Sequence, residues 1–150
     1  MIKVVLFDLD GTIINTNELI LETFMHVLKG ITPIEYTREN LIPHMGRPLI
    51  DQFRNFTGKQ EVDEYIQAYR EYNVSRHDEL VTEFPMVKET MSELQKAGVR
   101  MGIVTSKVRK TTHMGLKLCG LDGFVETIVT VEDVTDPKPH PEGILKLWAS

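Results

Sequence analysis

The feature that most limits what this chain can become is its opening run, Val4-Val5-Leu6-Phe7-Asp8-Leu9-Asp10-Gly11-Thr12. Large and β-branched apolar residues in unbroken sequence, closed by a glycine, spell a strand buried on both faces. That strand ends in two carboxylates. Residues two apart in a strand point to the same side, so Asp8 and Asp10 are expected to leave it together. Gly11 permits a sharp turn, and Thr12 adds a hydroxyl and a backbone N–H. Adjacent carboxylates repel and lose hydration, and a fold tolerates them mainly with a cation or a proton between them. A helix N-cap would account for one aspartate. It accounts poorly for two, separated by Leu9 at the end of an apolar strand.

Beyond this strand the pattern is helical. Asn15-Thr16-Asn17 is a polar break, after which Leu19, Ile20, Phe24, Val27 and Leu28 recur at helical spacing up to Gly30. Pro33, Pro43 and Pro48 keep the next elements short. Leu49, Ile50, Phe53 and Phe56 give another amphipathic turn or two, and Val62, Tyr65, Ile66, Tyr69 and Tyr72 a longer helix over 60–74. No strand pattern occurs from Thr16 to about Leu80, so residues 16–82 read as a helical insertion. The pattern then changes. A helix carrying Val87, Met91 and Leu94 ends at Gly98, a strand runs Val99–Val104, and another helix closes at Gly120. Glu126–Val131 is a third strand, and a last helix begins near Pro141. Strand and helix in alternation predict parallel βαβ units. The expected fold is therefore a doubly wound α/β sheet from residues 1–15 and 83–150, interrupted by the helical block 16–82.

Composition removes several alternatives. The chain has 150 residues, of which 41% are hydrophobic and 26% charged, enough for one core or a two-part domain. A net charge of −5 without a basic cluster argues against nucleic acid as the main partner. No apolar run approaches the ~20 residues of a membrane span, and the N-terminus starts a strand without a signal-peptide layout. A cytoplasmic location without membrane contact is expected. The single Cys119 and the scattered Met25, Met45, Met86, Met91, Met101 and Met114 read as core fillers.

Ligand sites in doubly wound sheets form at the carboxyl ends of the strands. Those ends offer Asp8 and Asp10 after the first strand, Thr105 and Ser106 after the second, and Lys138 in the proline-flanked loop after the third. Singly, Thr105 or Ser106 could merely cap a helix, and Lys138 could be a solvated surface lysine. Jointly they suit phosphoryl transfer. Spread negative charge must be neutralised and held in line; one carboxylate can attack phosphorus, and another can move the proton.

The residues Asp8-Leu9-Asp10-Gly11-Thr12, Thr105-Ser106 after an apolar strand, and Lys138-Pro139-His140-Pro141 together resemble the haloacid dehalogenase-like phosphatase superfamily. Within it the chain resembles the phosphoglycolate phosphatase-like group, on Asn15-Thr16-Asn17-Glu18-Leu19-Ile20, His77-Asp78-Glu79-Leu80-Val81 and Met114-Gly115-Leu116-Lys117-Leu118, and is nearest to a pyrophosphatase branch of it. The resemblance implies Asp8 as nucleophile and, through its carboxylate, Mg²⁺ ligand, and Asp10 as general acid and base with its backbone carbonyl on the metal. It implies Thr105 as hydrogen-bond donor to the phosphoryl group and Lys138 as its counter-charge. Gly11, Thr12, Ser106 and Lys107 would border the substrate. The helical block would be a cap over the site, with Arg47 after Gly46 either a second phosphate ligand or an exposed arginine, and with hinges at Asn15-Thr16 and near Thr82.

The implied substrate is pyrophosphate, with phosphoglycolate or another small phosphomonoester as the alternative. The superfamily's fourth motif, a later strand ending in Gly-Asp, is missing before Ser150, so C-terminal truncation is expected. Truncation makes phosphate binding without turnover a competing reading, and an unpaired first strand invites self-association. A receiver domain, which also gathers aspartates, a hydroxyl and a lysine, is disfavoured by the helical insertion after the first strand.

Overall fold

The structure is a computed structural model and describes residues 1–149. In chain order its elements are β1 (Val4–Phe7), β2 (Ile14–Asn15), α1 (Asn17–Leu28), α2 (Arg38–Leu41), α3 (Leu49–Thr57), α4 (Asp63–Leu80), β3 (Thr82–Glu83), α5 (Val87–Lys96), β4 (Arg100–Val104), α6 (Arg109–Leu118), β5 (Thr127–Val129) and α7 (Glu142–Ala149). They form two compact units: Met1–Asn15 with Thr82–Ser150, and Thr16–Val81.

The first unit is built on a parallel sheet of order β1-β4-β5. Val4 to Phe7 pair with Arg100 to Ile103, and Gly102 to Val104 pair with Thr127 to Val129. The expectation that the first strand is buried on both faces is not met, whereas the unpaired edge expected of a truncated sheet is found. Each of its four residues is half-buried, because among the described residues β1 pairs only with β4 and forms one edge. The central strand β4 is buried from Met101 to Val104, with Met101 and Ile103 at its heart and only Arg100 exposed. The strand expected over 126–131 is only Thr127–Val129. Thr130 turns the chain out of the sheet: its hydroxyl accepts from Glu132 N–H, and Asp133 Oδ2 accepts from Thr130 N–H at 2.8 Å, a capping box.

The sequence pattern does not predict a short antiparallel ribbon, yet one is present. Ile14 pairs with Glu83 and Asn15 with Thr82, so Thr82 belongs to this unit and not to the helical block. Two-residue strands carry no readable period.

Helix α7 approaches the sheet through two glycines. A Cβ on Gly102 of β4 would lie 2.8 Å from Leu147 Cδ1 and 3.2 Å from the Thr127 carbonyl. A Cβ on Gly143 of α7 would lie 2.9 Å from Val104 Cγ1. Gly102→Val is therefore expected to overpack this contact and cost about 1–3 kcal/mol, read as a lowered thermal midpoint; an unchanged midpoint would show that α7 has room to move away.

The second unit is all-helical. Its core is Leu21, Phe24, Val27 and Leu28 of α1, Phe53 and Phe56 of α3, and Tyr65 and Tyr69 of α4, with Leu41 and Val62. Helix α4 runs to Leu80, past the end expected near residue 74. Ile50 is exposed, so the apolar stripe of α3 is Phe53 and Phe56, with Leu49 partly buried against the same core. Met86 is likewise no core filler: it is exposed at φ +68°, where it leads into α5. Cys119, Met91 and Met101 are buried as expected.

Candidate active site

The site is built where β1 and β4 end. β1 stops at Phe7, and the chain wraps around Leu9, whose side chain is fully buried. The Leu9 carbonyl accepts from the N–H groups of Thr12, Ile13 and Ile14, and Gly11, at φ +75°, donates to the Ile14 carbonyl. A side chain at that φ would be strained, which is the physical need for glycine. This turn consumes the backbone N–H groups of Gly11 and Thr12, so what either residue can offer a ligand is the Thr12 hydroxyl; both residues are exposed beside the two aspartates. Burying Leu9 between them turns Asp8 and Asp10 toward solvent, with side chains 52% and 28% exposed.

Each aspartate has its own lysine. Asp8 Oδ1 accepts from Leu9 N–H at 2.9 Å and from Lys138 Nζ at 3.0 Å. Lys138 Nζ also donates to the Val104 carbonyl at 2.7 Å, which fixes it at the end of β4. Lys107 Nζ donates to Asp10 Oδ1 at 3.1 Å. Two carboxylate–ammonium pairs are thereby gathered at the carboxyl edge of the sheet from three loops far apart in sequence.

Thr105 continues the sheet by one bond, its N–H donating to the Val129 carbonyl at 3.0 Å. Its hydroxyl oxygen accepts from Lys107 N–H at 3.1 Å. An oxygen already accepting in this way has its proton to donate elsewhere. Ser106 is different. Its hydroxyl oxygen is buried without a hydrogen-bond partner among the described residues, although the residue as a whole is half-buried. At the start of α6 one backbone N–H is already engaged. The helix begins at Arg109, and Glu132 Oε1 already accepts from Arg109 N–H at 3.2 Å. Arg47 lies in the other unit, exposed, after Gly46 at φ +93°.

The loop carrying Lys138 is held by a residue that the sequence pattern does not single out. The Glu142 carboxylate accepts from Thr135 N–H at 2.9 Å and Asp136 N–H at 2.7 Å, and His140 Nδ1 accepts from Glu142 N–H at 3.1 Å. An acid in the first turn of a helix that succeeds a loop is the available signal. Asp136, His140 and Glu142 come close enough to hold a cation, but these hydrogen bonds already use the Glu142 oxygens and one His140 nitrogen. The two backbone N–H groups, Asp136 first and Thr135 next, hold the Glu142 carboxyl below its usual pKa of 4.5, with Lys146 and His140 adding to the effect. A depressed folded-state pKa means that this contribution is present above the ordinary glutamate value and is lost as pH falls through the folded one. Glu142→Ala is accordingly expected to speed hydrogen exchange at Thr135 and Asp136 by about 10-fold at fixed pH, and acidification through the lowered Glu142 pKa to reduce the protection of the same two amides, relative to the intrinsic rate at each pH, in the parent. Unchanged exchange in the variant would show that the prolines alone hold the loop.

Mg²⁺ takes hard oxygen ligands and keeps several waters, often using only one or two carboxylates plus substrate oxygens. The half-exposed Asp8 carboxylate and the Asp10 backbone carbonyl are oxygens of that kind and would hold the ion, which leaves the Asp10 carboxyl to Lys107. No third carboxylate or histidine joins them closely among the described residues.

The sequence profile described as haloacid dehalogenase-like hydrolase matches residues 5–150. The chain belongs to the haloacid dehalogenase-like hydrolase family. Curated relatives named pyrophosphatase PpaX are 48% identical over 143 residues in Bacillus velezensis and 50% identical over 145 residues in Bacillus cereus. These alignments cover 95% and 97% of this chain and 66% and 67% of the relatives, so the chain spans about two thirds of their length. Among solved structures, a provisionally named haloacid dehalogenase-like hydrolase from Bacteroides fragilis superposes with a TM-score of 0.85 at 30% identity, covering 99% of this chain and 72% of that one. CbbY from Rhodobacter sphaeroides, solved in complex with phosphate, shares the fold at a TM-score of 0.82 and 20% identity, covering 97% and 71%. In this haloacid dehalogenase-like chain, no helix among the described residues is long and apolar enough to cross a membrane.

Proposed function

We propose that this chain is a phosphohydrolase that works through an aspartyl-phosphate on Asp8, with pyrophosphate as substrate and Mg²⁺ as cofactor. The observation that carries the reading is Lys138 Nζ, held at once by Asp8 Oδ1 and the Val104 carbonyl, with Thr105 next in the chain. A fixed ammonium beside a carboxylate at a strand end is a place for a phosphoryl group, because it offsets the charge that would otherwise repel the nucleophile.

With Oδ1 held by Leu9 N–H and Lys138, Oδ2 of Asp8 is the attacking oxygen. It forms a bond to phosphorus as the bond to the leaving phosphate oxygen breaks, and Asp10 gives that oxygen a proton. Asp10 then takes a proton from water as the water oxygen bonds to phosphorus and the Asp8–phosphorus bond breaks, which restores both residues. Thr105 donates its hydroxyl proton to a phosphoryl oxygen, and Lys138 faces the same group. Mg²⁺, held by Asp8 and Asp10, would supply further charge neutralisation to the phosphoryl oxygens. The helical unit would serve as the cap, moving on hinges at Asn15-Thr16 and Val81-Thr82, where the chain passes between the two units. The pyrophosphatase names of the relatives near 50% identity support pyrophosphate over other phosphates.

The test is phosphate release from pyrophosphate and from phosphoglycolate, with Mg²⁺ present. Pyrophosphate is expected to be cleaved faster. Faster cleavage of phosphoglycolate would move the reading to phosphomonoesters, and cleavage of neither would leave a phosphate-binding fold without turnover.

A further inference from the structure

Lys107 sits two residues beyond Thr105, where a substrate ligand would be looked for, yet its side chain is committed elsewhere. That side chain is only 10% exposed, and Nζ lies 3.1 Å from Asp10 Oδ1. Its backbone is fixed at both polar groups: N–H donates to Thr105 Oγ1 at 3.1 Å, and the carbonyl accepts from Val131 N–H at 3.1 Å. Asp10 sits in the equally tight turn around the Leu9 carbonyl. Two rigid loops thus meet through one ammonium–carboxylate contact.

We propose that Lys107 is a positioning residue: it holds the Asp10 carboxyl in the orientation needed for proton transfer and does not bind the substrate phosphate. The inference rests on the proposed aspartyl-phosphate chemistry. A phosphate ligand must present its ammonium to an incoming dianion, whereas this one is nearly enclosed and already engaged. Lys138, three times as exposed at 31%, faces Asp8 and is the lysine placed for substrate. A carboxyl group keeps an acceptor oxygen whether or not it carries a proton, so the Lys107 contact survives both halves of the proton shuttle. Holding a catalytic group in one rotamer is what turns a nearby acid into an effective one.

The two roles separate through the leaving group. A proton donor matters for pyrophosphate, whose leaving phosphate is basic, and little for p-nitrophenyl phosphate, whose nitrophenolate departs unaided. In Lys107→Cys, kcat/KM for pyrophosphate should fall about 100-fold and for p-nitrophenyl phosphate less than about 5-fold. Alkylation of that cysteine with 2-bromoethylamine rebuilds an ammonium at the same reach and should restore pyrophosphate cleavage to within about 5-fold of the parent. Cys119 is buried, and burial raises its thiol pKa, so the new cysteine is the one modified. Equal losses for both substrates would make Lys107 a phosphate ligand and overturn the proposal. A crystal structure of Lys107→Met reads the same question without turnover. A turned Asp10 side chain supports positioning, and an unmoved one overturns it. If the parent cleaves neither substrate, the phosphohydrolase reading falls, while the structure of Lys107→Met still decides the role of Lys107.

Discussion

Asp8→Asn is expected to lower phosphate release by about 10⁴-fold or more, as removal of a nucleophile that acts in concert with its neighbours does. The substitution is nearly isosteric and keeps an amide oxygen to accept from Leu9 N–H and Lys138, so the turn and the loop should stay in place. What is lost is the second carboxylate oxygen, and an amide does not attack phosphorus. Asp10→Asn should behave differently. Asp8 remains able to attack, and a substrate with a good leaving group should still phosphorylate it. Water then lacks its base, so the phosphorylated chain should accumulate. Acid quenching and then intact-mass measurement distinguish these outcomes: one phosphoryl group on Asp10→Asn and none on Asp8→Asn. Phosphate release by Asp8→Asn at the parental rate would remove Asp8 from the chemistry altogether.

The legible part of this site is the part written by strand ends. Asp8, Asp10, Thr105 and Lys138 each come after an apolar run, and the rule that parallel strands deliver ligands at their carboxyl ends is enough to group them without any knowledge of contacts. The structure brings Lys138 to Asp8 across 130 positions of sequence. Contacts decided by turn geometry are not legible. Nothing in the order Gly11-Thr12 says that their N–H groups close onto Ile14 and Leu9, leaving none for substrate. Nothing in Thr105-Ser106-Lys107 says that the hydroxyl of Ser106 turns inward while the ammonium of Lys107 reaches Asp10. Those outcomes depend on one or two dihedral angles per residue, which periodicity does not encode.

The same division runs through the fold. Long periodic stretches such as α1, α4 and β4 are readable because many residues vote on one pattern. β2 and β3, two residues each, and the shortening of β5 by the Thr130–Asp133 box are not. The box has a signal of its own, a threonine with an aspartate three residues later, which apolar Val131 and the expected strand conceal. The half-buried state of β1 depends on how many neighbours the sheet supplies, and the strand's own residues carry no information about that.

Phe24→Ala is expected to destabilise the helical unit by about 3–5 kcal/mol. Phe24 is 2% exposed and stands at the centre of the aromatic core, with ring centroids 4.8 Å from Tyr69, 5.4 Å from Phe53 and 5.5 Å from Phe56. It therefore joins α1 to both α3 and α4, and truncation leaves a void bounded by three rings that cannot close over it without losing their own tilted and edge-on contacts. A unit spanning Thr16–Val81 is small enough to bury only about 60% of its unfolded surface, and whole domains are stable by only about 5–15 kcal/mol. The loss is thus a large fraction of what this unit has. Ile50→Ala, on the exposed face of α3, provides the comparison and should cost less than about 0.5 kcal/mol. Urea titration monitored by far-ultraviolet circular dichroism reads both, since most of the helix in the chain belongs to α1, α3 and α4. A shift of the midpoint no larger for Phe24→Ala than for Ile50→Ala would mean that the three helices are not held together by this core.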